Sequence, residues 1–210
     1  MKKPGRVSAI GMFFLFAVLL SACSSTKLVS SWTAPNDVIK SNKVLVIALM
    51  GQNDRMLREN VERIMVKNLS EKGINAGSAF AEYGPKVFEG LNEAAALKAI
   101  KDKGYDGTFT IAVLDKTKQK TYNYGAPYFN PYYGYRFWGY YNNFYGGMYE
   151  PGYYSTTKRF ILEANYYNLD NDKLLYSAQT RSLDPSSPES LATEFTNTLL
   201  ADMTKKGVIK

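Results

Sequence analysis

Hydrophobic positions along this chain alternate between strand-like runs and helical stripes. Val44-Leu45-Val46-Ile47-Ala48-Leu49, opened by Lys43, is a continuous apolar run, the pattern of a strand covered on both faces. Leu57, Val61, Ile64, Met65 and Leu69 then recur at three- and four-residue spacing. That spacing predicts an amphipathic helix packed on the sheet. Asn53 or Asp54 is placed to cap its start, and Gly73 to end it. Glu59, Glu62 and Glu71, mixed with Arg58, Arg63, Lys67 and Lys72, read as its solvated face. Ile74-Asn75-Ala76 begins a short second strand. A second helix is expected from about Asn92 to Lys103, through Leu97 and Ile100, with Gly104 as its stop. Gly107 to Leu114 is the third strand, and its pattern carries on toward Tyr122.

The C-terminal part opens with a strand from Arg159 to Asn168, with Phe160, Leu162, Ala164 and Tyr166 on one side. Asp170-Asn171-Asp172 supplies turn chemistry, and Lys173 to Arg181 pairs back as a hairpin partner. A calcium loop would need further oxygen ligands and a later glutamate at fixed spacing, which are missing here. Ser187 and Pro188 mark the start of a last helix, in which Leu191, Phe195, Leu199 and Met203 repeat every four residues before Gly207. The order is β-α-β-α-β, a long insert, β-β, then α. This predicts an α+β fold over residues 43–210, a single domain with a mixed sheet of about five strands, three helices and an aromatic insert at 122–154. Residues 23–42 are rich in Ser, Thr, Asn and Pro and read as a tether and extended lead-in, with Val29 and Trp32 as points of docking.

The first residues follow a different logic. Lys2, Lys3 and Arg6 precede an apolar run from Ala9 to Leu20, about twelve residues, whereas a spanning helix needs about 20. The run closes in Leu20-Ser21-Ala22-Cys23. Basic start, short apolar run and small residues before a cysteine together resemble the signal peptide and lipobox of bacterial lipoproteins. The resemblance implies cleavage of residues 1–22 and acylation of Cys23, giving attachment to a membrane through a lipid anchor. Ser24, where an aspartate implies inner-membrane retention, implies the outer membrane, here expected at the periplasmic face. The order of elements in 43–210 also resembles small periplasmic lipoprotein domains, such as the N-terminal domain of the Tol propeller protein and the curli-secretion lipoprotein. The stretch Tyr166-Tyr167-Asn168-Leu169, then Lys173-Leu174-Leu175-Tyr176-Ser177 and the last helix, is similar to uncharacterised envelope lipoprotein families.

Composition narrows the chemistry. The chain has no histidine, and Cys23 is its one cysteine, so no intrachain disulfide can form. With Cys23 acylated, the commonest general base, the thiol nucleophile and the best zinc ligands are all absent. No Gly-x-Ser-x-Gly elbow or phosphate-cradling glycine loop occurs. No catalytic residue, metal or cofactor is therefore expected. Asp102, Asp106 and Asp115 are the carboxylates a cell-wall enzyme would have to use, the alternative to a binding role. Net charge is +7 and becomes +4 without Lys2, Lys3 and Arg6. No lysine and arginine block with interleaved aromatics is present, so nucleic acid is not an expected partner.

The insert carries the candidate contact surface. Residues 122–154 hold 12 of the 17 tyrosines, together with Phe129, Phe137, Trp138 and Phe144, and only Arg136 and Glu150 are charged. At 33 residues it far exceeds the usual loop. Tyr128, Tyr132, Tyr133, Tyr135, Trp138, Tyr140 and Tyr141 are its candidate contacts. Three readings stand side by side: a low-complexity insert without a ligand, an interface for an envelope protein, and a glycan-binding surface stacking aromatic faces on sugar rings.

Overall fold

The computed structural model describes residues 25–35, 40–86, 88, 90–123 and 153–209. Strands β1 (Thr26–Thr33), β2 (Val44–Leu49), β3 (Ala76–Ser78), β4 (Gly107–Asn123), β5 (Tyr153–Asn168) and β6 (Lys173–Leu183) form one open mixed sheet. Its order is β1-β6-β5-β4-β2-β3. β2 runs parallel to β3 and β4, and every other neighbouring pair is antiparallel. Helices α1 (Arg55–Glu71), α2 (Ala79–Tyr83), α3 (Glu93–Asp102) and α4 (Pro188–Lys205) pack on it.

The mixed sheet stands as expected, but the described residues hold six strands and four helices where five and three were expected. β1 escaped because it is an edge strand. Of TKLVSSWT only Thr26 is buried, and a register shift between Leu28 and Ser30 breaks its alternation. That irregularity leaves Val29 and Trp32 55% and 48% exposed rather than docked. α2 escaped because its five residues are too few to show a helical repeat.

The apolar run of β2 is explained by layers on both sides. Val44, Val46 and Ala48 join Leu57, Val61, Met65 and Leu69 of α1, Phe109 and Ile111 of β4, and Phe195 and Leu199 of α4 in the main core. Leu45 and Ile47 point the other way, into a second cluster with Ala79, Ile100 and Tyr105 beneath α2 and α3. Farther along, that second face is polar: Gln179 Nε2 donates to Glu163 at 2.8 Å, and Asn165 Nδ2 donates to the same carboxylate at 3.0 Å.

Helix ends follow local chemistry. The Asn92 side chain accepts from Ala95 N–H at 2.9 Å, and Ser187 Oγ from Ser190 N–H at 3.0 Å. Gly73 and Gly207 take positive φ just beyond α1 and α4, and the Ile74 and Val208 amides bond back to Leu69 and Met203. Asp54 precedes α1 without a side-chain capping bond and pairs with Lys116 instead. In the β5–β6 turn, Asn168 Oδ1 accepts from the Asp170 and Asn171 amides, the hairpin chemistry expected there.

Candidate functional site

β4 and β5 are the longest strands and outrun the sheet. The last residue of β6, Leu183, lies opposite Arg159, which lies opposite Thr117. Beyond that level, Lys118–Asn123 and Tyr153–Lys158 pair with each other, and only Lys158 at the base is also held from the β6 side, its carbonyl accepting from the Asp184 amide at 2.8 Å and its amide donating to Asp184 Oδ1 at 2.6 Å. Six residues per strand at about 3.3 Å each make an arm of about 20 Å. Asn123 lies opposite Tyr153, so the aromatic segment 124–152 leaves and rejoins the chain at the arm's tip.

One face of the arm is cationic. Lys118 lies opposite Lys158, with Lys120 two residues farther out, and Lys118–Asn123 with Tyr153–Lys158 contains no Asp or Glu. All three lysines are exposed, as is Tyr154 at 71% on the same face. Among the described residues, none of the three forms an ion pair, whereas Lys116 at the arm's base pairs with Asp54. A cavity of about 170 Å³ opens beside the base, between Asp54, Leu57, Lys158, Phe160, Pro188 and Leu191. The opposite face holds a shallow groove of about 320 Å³ along Thr117, Gln119, Thr157, Arg159 and Arg181.

β1 starts at this same end of the sheet. Thr26 lies opposite Ser182, which lies opposite Phe160. The start is pinned: Ser25 Oγ and Thr26 N–H both donate to Glu194 of α4 at 2.9 Å, and the Leu183 amide donates to the Ser25 carbonyl at 3.1 Å. Cys23 and the aromatic candidates Tyr128, Tyr132, Tyr133, Tyr135, Trp138, Tyr140 and Tyr141 lie outside the described residues, as does the signal-like segment 1–22.

The three carboxylates considered for acid–base work are not brought together. Asp102 pairs with Lys98 at 2.5 Å. Asp106 accepts from the Asn42 amide and side chain at 2.8 Å and from Lys43 N–H at 3.1 Å. Burial works against its charge, but these bonds outweigh it and hold the carboxyl below the usual carboxylate range. Asp115 accepts from Thr117 and from Arg159 at 2.9 Å, which holds it low as well. Asp106 immediately precedes β4 and Asp115 lies nine residues farther along it, about 30 Å away, while paired carboxylates in glycoside hydrolysis sit within about 10 Å.

One carboxylate departs from its expected place. Glu62 is fully buried, not on a solvated face. Its Oε1 accepts from Ala48 N–H at 2.9 Å, and its Oε2 from Ser78 Oγ at 2.6 Å and Phe80 N–H at 2.7 Å. Arg58, one turn earlier, lies 3.7 Å away, donates to the Pro85 carbonyl and stacks over Phe80. The site occupies the C-terminal end of β2, where open α/β sheets hold ligands. Yet the space there, between Met50, Gly51, Arg55, Arg58 and Phe80, is about 10 Å³, no more than one water needs. Glu62 thus joins β2, β3 and α2. The signal was present in the sequence, since Glu62, Met65 and Leu69 share one helical stripe.

Buried tyrosines brace the sheet. The Tyr105 hydroxyl donates to Glu82, which also pairs with Lys103 at 3.1 Å. Burial and the Glu82 carboxylate push the Tyr105 phenol up. Tyr166 meets the Ser41 hydroxyl, and burial pushes its phenol up to about 12. Tyr176 donates to Asp202 at 2.8 Å and is likewise pushed up, first by burial.

No family model matches the chain, and no curated protein matches it. Among solved structures it is similar to the PelC dodecamer from Paraburkholderia phytofirmans, at 13% identity and a TM-score of 0.45, over 83% of this chain and 94% of that one. It is also similar to lipoprotein GNA1162 from Neisseria meningitidis, at 14% identity and a TM-score of 0.42, over 78% and 98%. These are distant likenesses of general arrangement.

Proposed function

We propose that this chain is a bacterial outer-membrane lipoprotein, attached through Cys23 at the periplasmic face, that acts by binding rather than catalysis in envelope maintenance or assembly. Attachment is supported by Lys2, Lys3 and Arg6, the short apolar run, and Leu20-Ser21-Ala22-Cys23 followed by Ser24. No helix among the described residues is long and apolar enough to cross a membrane. The observation that carries the binding role is the β4–β5 arm, whose paired tip at Asn123 and Tyr153 is where the tyrosine-rich segment leaves and rejoins the chain. Tyrosine and tryptophan offer large contact area at low rotamer cost, which suits a protein partner.

Two measurements test this. Labelled fatty acid is incorporated into the parent protein and not into Cys23→Ala; equal labelling of both defeats the anchor. Replacing residues 124–152 by Asn-Gly, a turn suited to the Asn123–Tyr153 pair, keeps the sheet. Specific crosslinked adducts in intact cells are expected to disappear with that deletion. Adducts that persist unchanged overturn the arm as the binding element. Retention on purified peptidoglycan that the deletion abolishes assigns the segment to a glycan instead.

A further inference from the structure

We infer that the lysine face of the β4–β5 arm docks on the anionic surface of the membrane that holds Cys23, so that the arm lies against the bilayer rather than reaching away from it. The inference rests on acylation of Cys23 as proposed above. Its first support is length. Ser25 is bonded to Glu194 and to Leu183, so only Ser24 separates the pinned chain from Cys23. Two residues span at most about 7 Å. The arm leaves the same end of the sheet and runs about 20 Å past it. Two strand steps separate β1 from β5, and each turns the direction by about 20–25°. The arm therefore still projects about 14 Å along the β1 direction, roughly twice the reach of the tether. A bilayer anchored at Cys23 must meet the arm.

Charge is the second support. The face that emerges carries Lys118, Lys120 and Lys158; the arm's own residues include no carboxylate, Asp184 at its base is engaged by the Lys158 amide, and Lys118 directly opposes Lys158. Like charges across an antiparallel pair destabilise it, and an anionic surface removes that repulsion. Lysine near an anionic leaflet strengthens attachment about fivefold per residue. On the other face at the same end, Lys27 lies opposite Arg181, so the membrane-proximal edge is basic on both sides.

The test uses the full lipidated protein on vesicles containing phosphatidylglycerol or made of phosphatidylcholine alone. Amine acetylation at each lysine is read by mass spectrometry, with Lys67 on α1 as the internal reference. Acetylation of Lys118, Lys120 and Lys158 is expected to fall at least about threefold on the anionic vesicles and to recover in about 1 M salt. Equal rates on both vesicles, with the Cys23 peptide found acylated, overturn the docking and leave the anchor standing. A Cys23 peptide without acyl chains overturns both. Protection by a soluble anionic polysaccharide and not by phosphatidylglycerol assigns the face to a glycan and overturns the proposal.

Discussion

Replacing Glu62 by alanine removes the acceptor for three donors at once: the Ala48 and Phe80 amides and the Ser78 hydroxyl. It also strips Arg58, itself only 12% exposed, of the carboxylate 3.7 Å away. The residue is fully buried, so water does not replace these bonds without opening the junction of β2, β3 and α2. Breaking a buried charged network from one side costs about 3–5 kcal/mol, and the four partners place Glu62→Ala near about 4 kcal/mol. For a chain of this size that lowers Tm by about 8–16 °C. Glu62→Gln keeps the volume and one acceptor oxygen, but turns an amide NH₂ toward a donor, so about half that loss is expected. Glu59→Ala, three residues earlier on the same helix and 40% exposed, is the control and should stay within about 0.5 kcal/mol. Urea unfolding followed by circular dichroism measures all three. If Glu62→Ala unfolds within about 1 kcal/mol of the parent, the buried-tie reasoning is wrong.

Other outcomes follow from the tyrosine braces. A Cβ at Gly107 would overlap the Tyr166 hydroxyl and lie 2.5 Å from Ser41 Oγ. Gly107→Ala should therefore destabilise by about 1–3 kcal/mol in the same urea assay, and Tyr166→Phe in the same chain should recover part of it. A raised phenol pKa means that the folded state holds its proton longer than the unfolded state. That contribution is complete below pH about 10 and is lost as pH rises through about 12 for Tyr166. Tyr105 and Tyr176 act in the same direction. The urea midpoint should thus fall between pH 10 and 12, with part of the phenolate absorbance appearing only on unfolding. A single reversible titration of all tyrosines near pH 10, with structure intact, would contradict this.

Much of the fold was legible because its determinants are local. The unbroken apolar run of β2 announced cover on two faces, and the four-residue repeat of α4 announced its buried stripe. Asn92, Ser187, Gly73 and Gly207 marked helix ends through bonds spanning a few residues. β1 was not legible, because an edge strand with one buried side chain has no periodicity to detect. The lysine face of the arm was missed for a related reason. Lys116, Lys118 and Lys120 merely alternate along one strand, and only the pairing of β4 with β5 brings Lys158 opposite Lys118 and carries both strands past the end of β6.

The sequence by itself determined the mixed α and β content and the approximate ends of three of the four described helices, each encoded within one or two turns of chain. Only the tertiary structure decided that Glu62 is inside, that β1 joins β6, and that the chain start and the arm leave the sheet at one end. Those facts depend on register between distant segments. Thr26 meets Ser182 across 156 positions, and no local pattern specifies such a pairing. It is held by the buried Thr26–Ser182 side-chain bond and by the bonds of Ser25 and Thr26 to Glu194 of α4, partners that come together only once the whole sheet has formed.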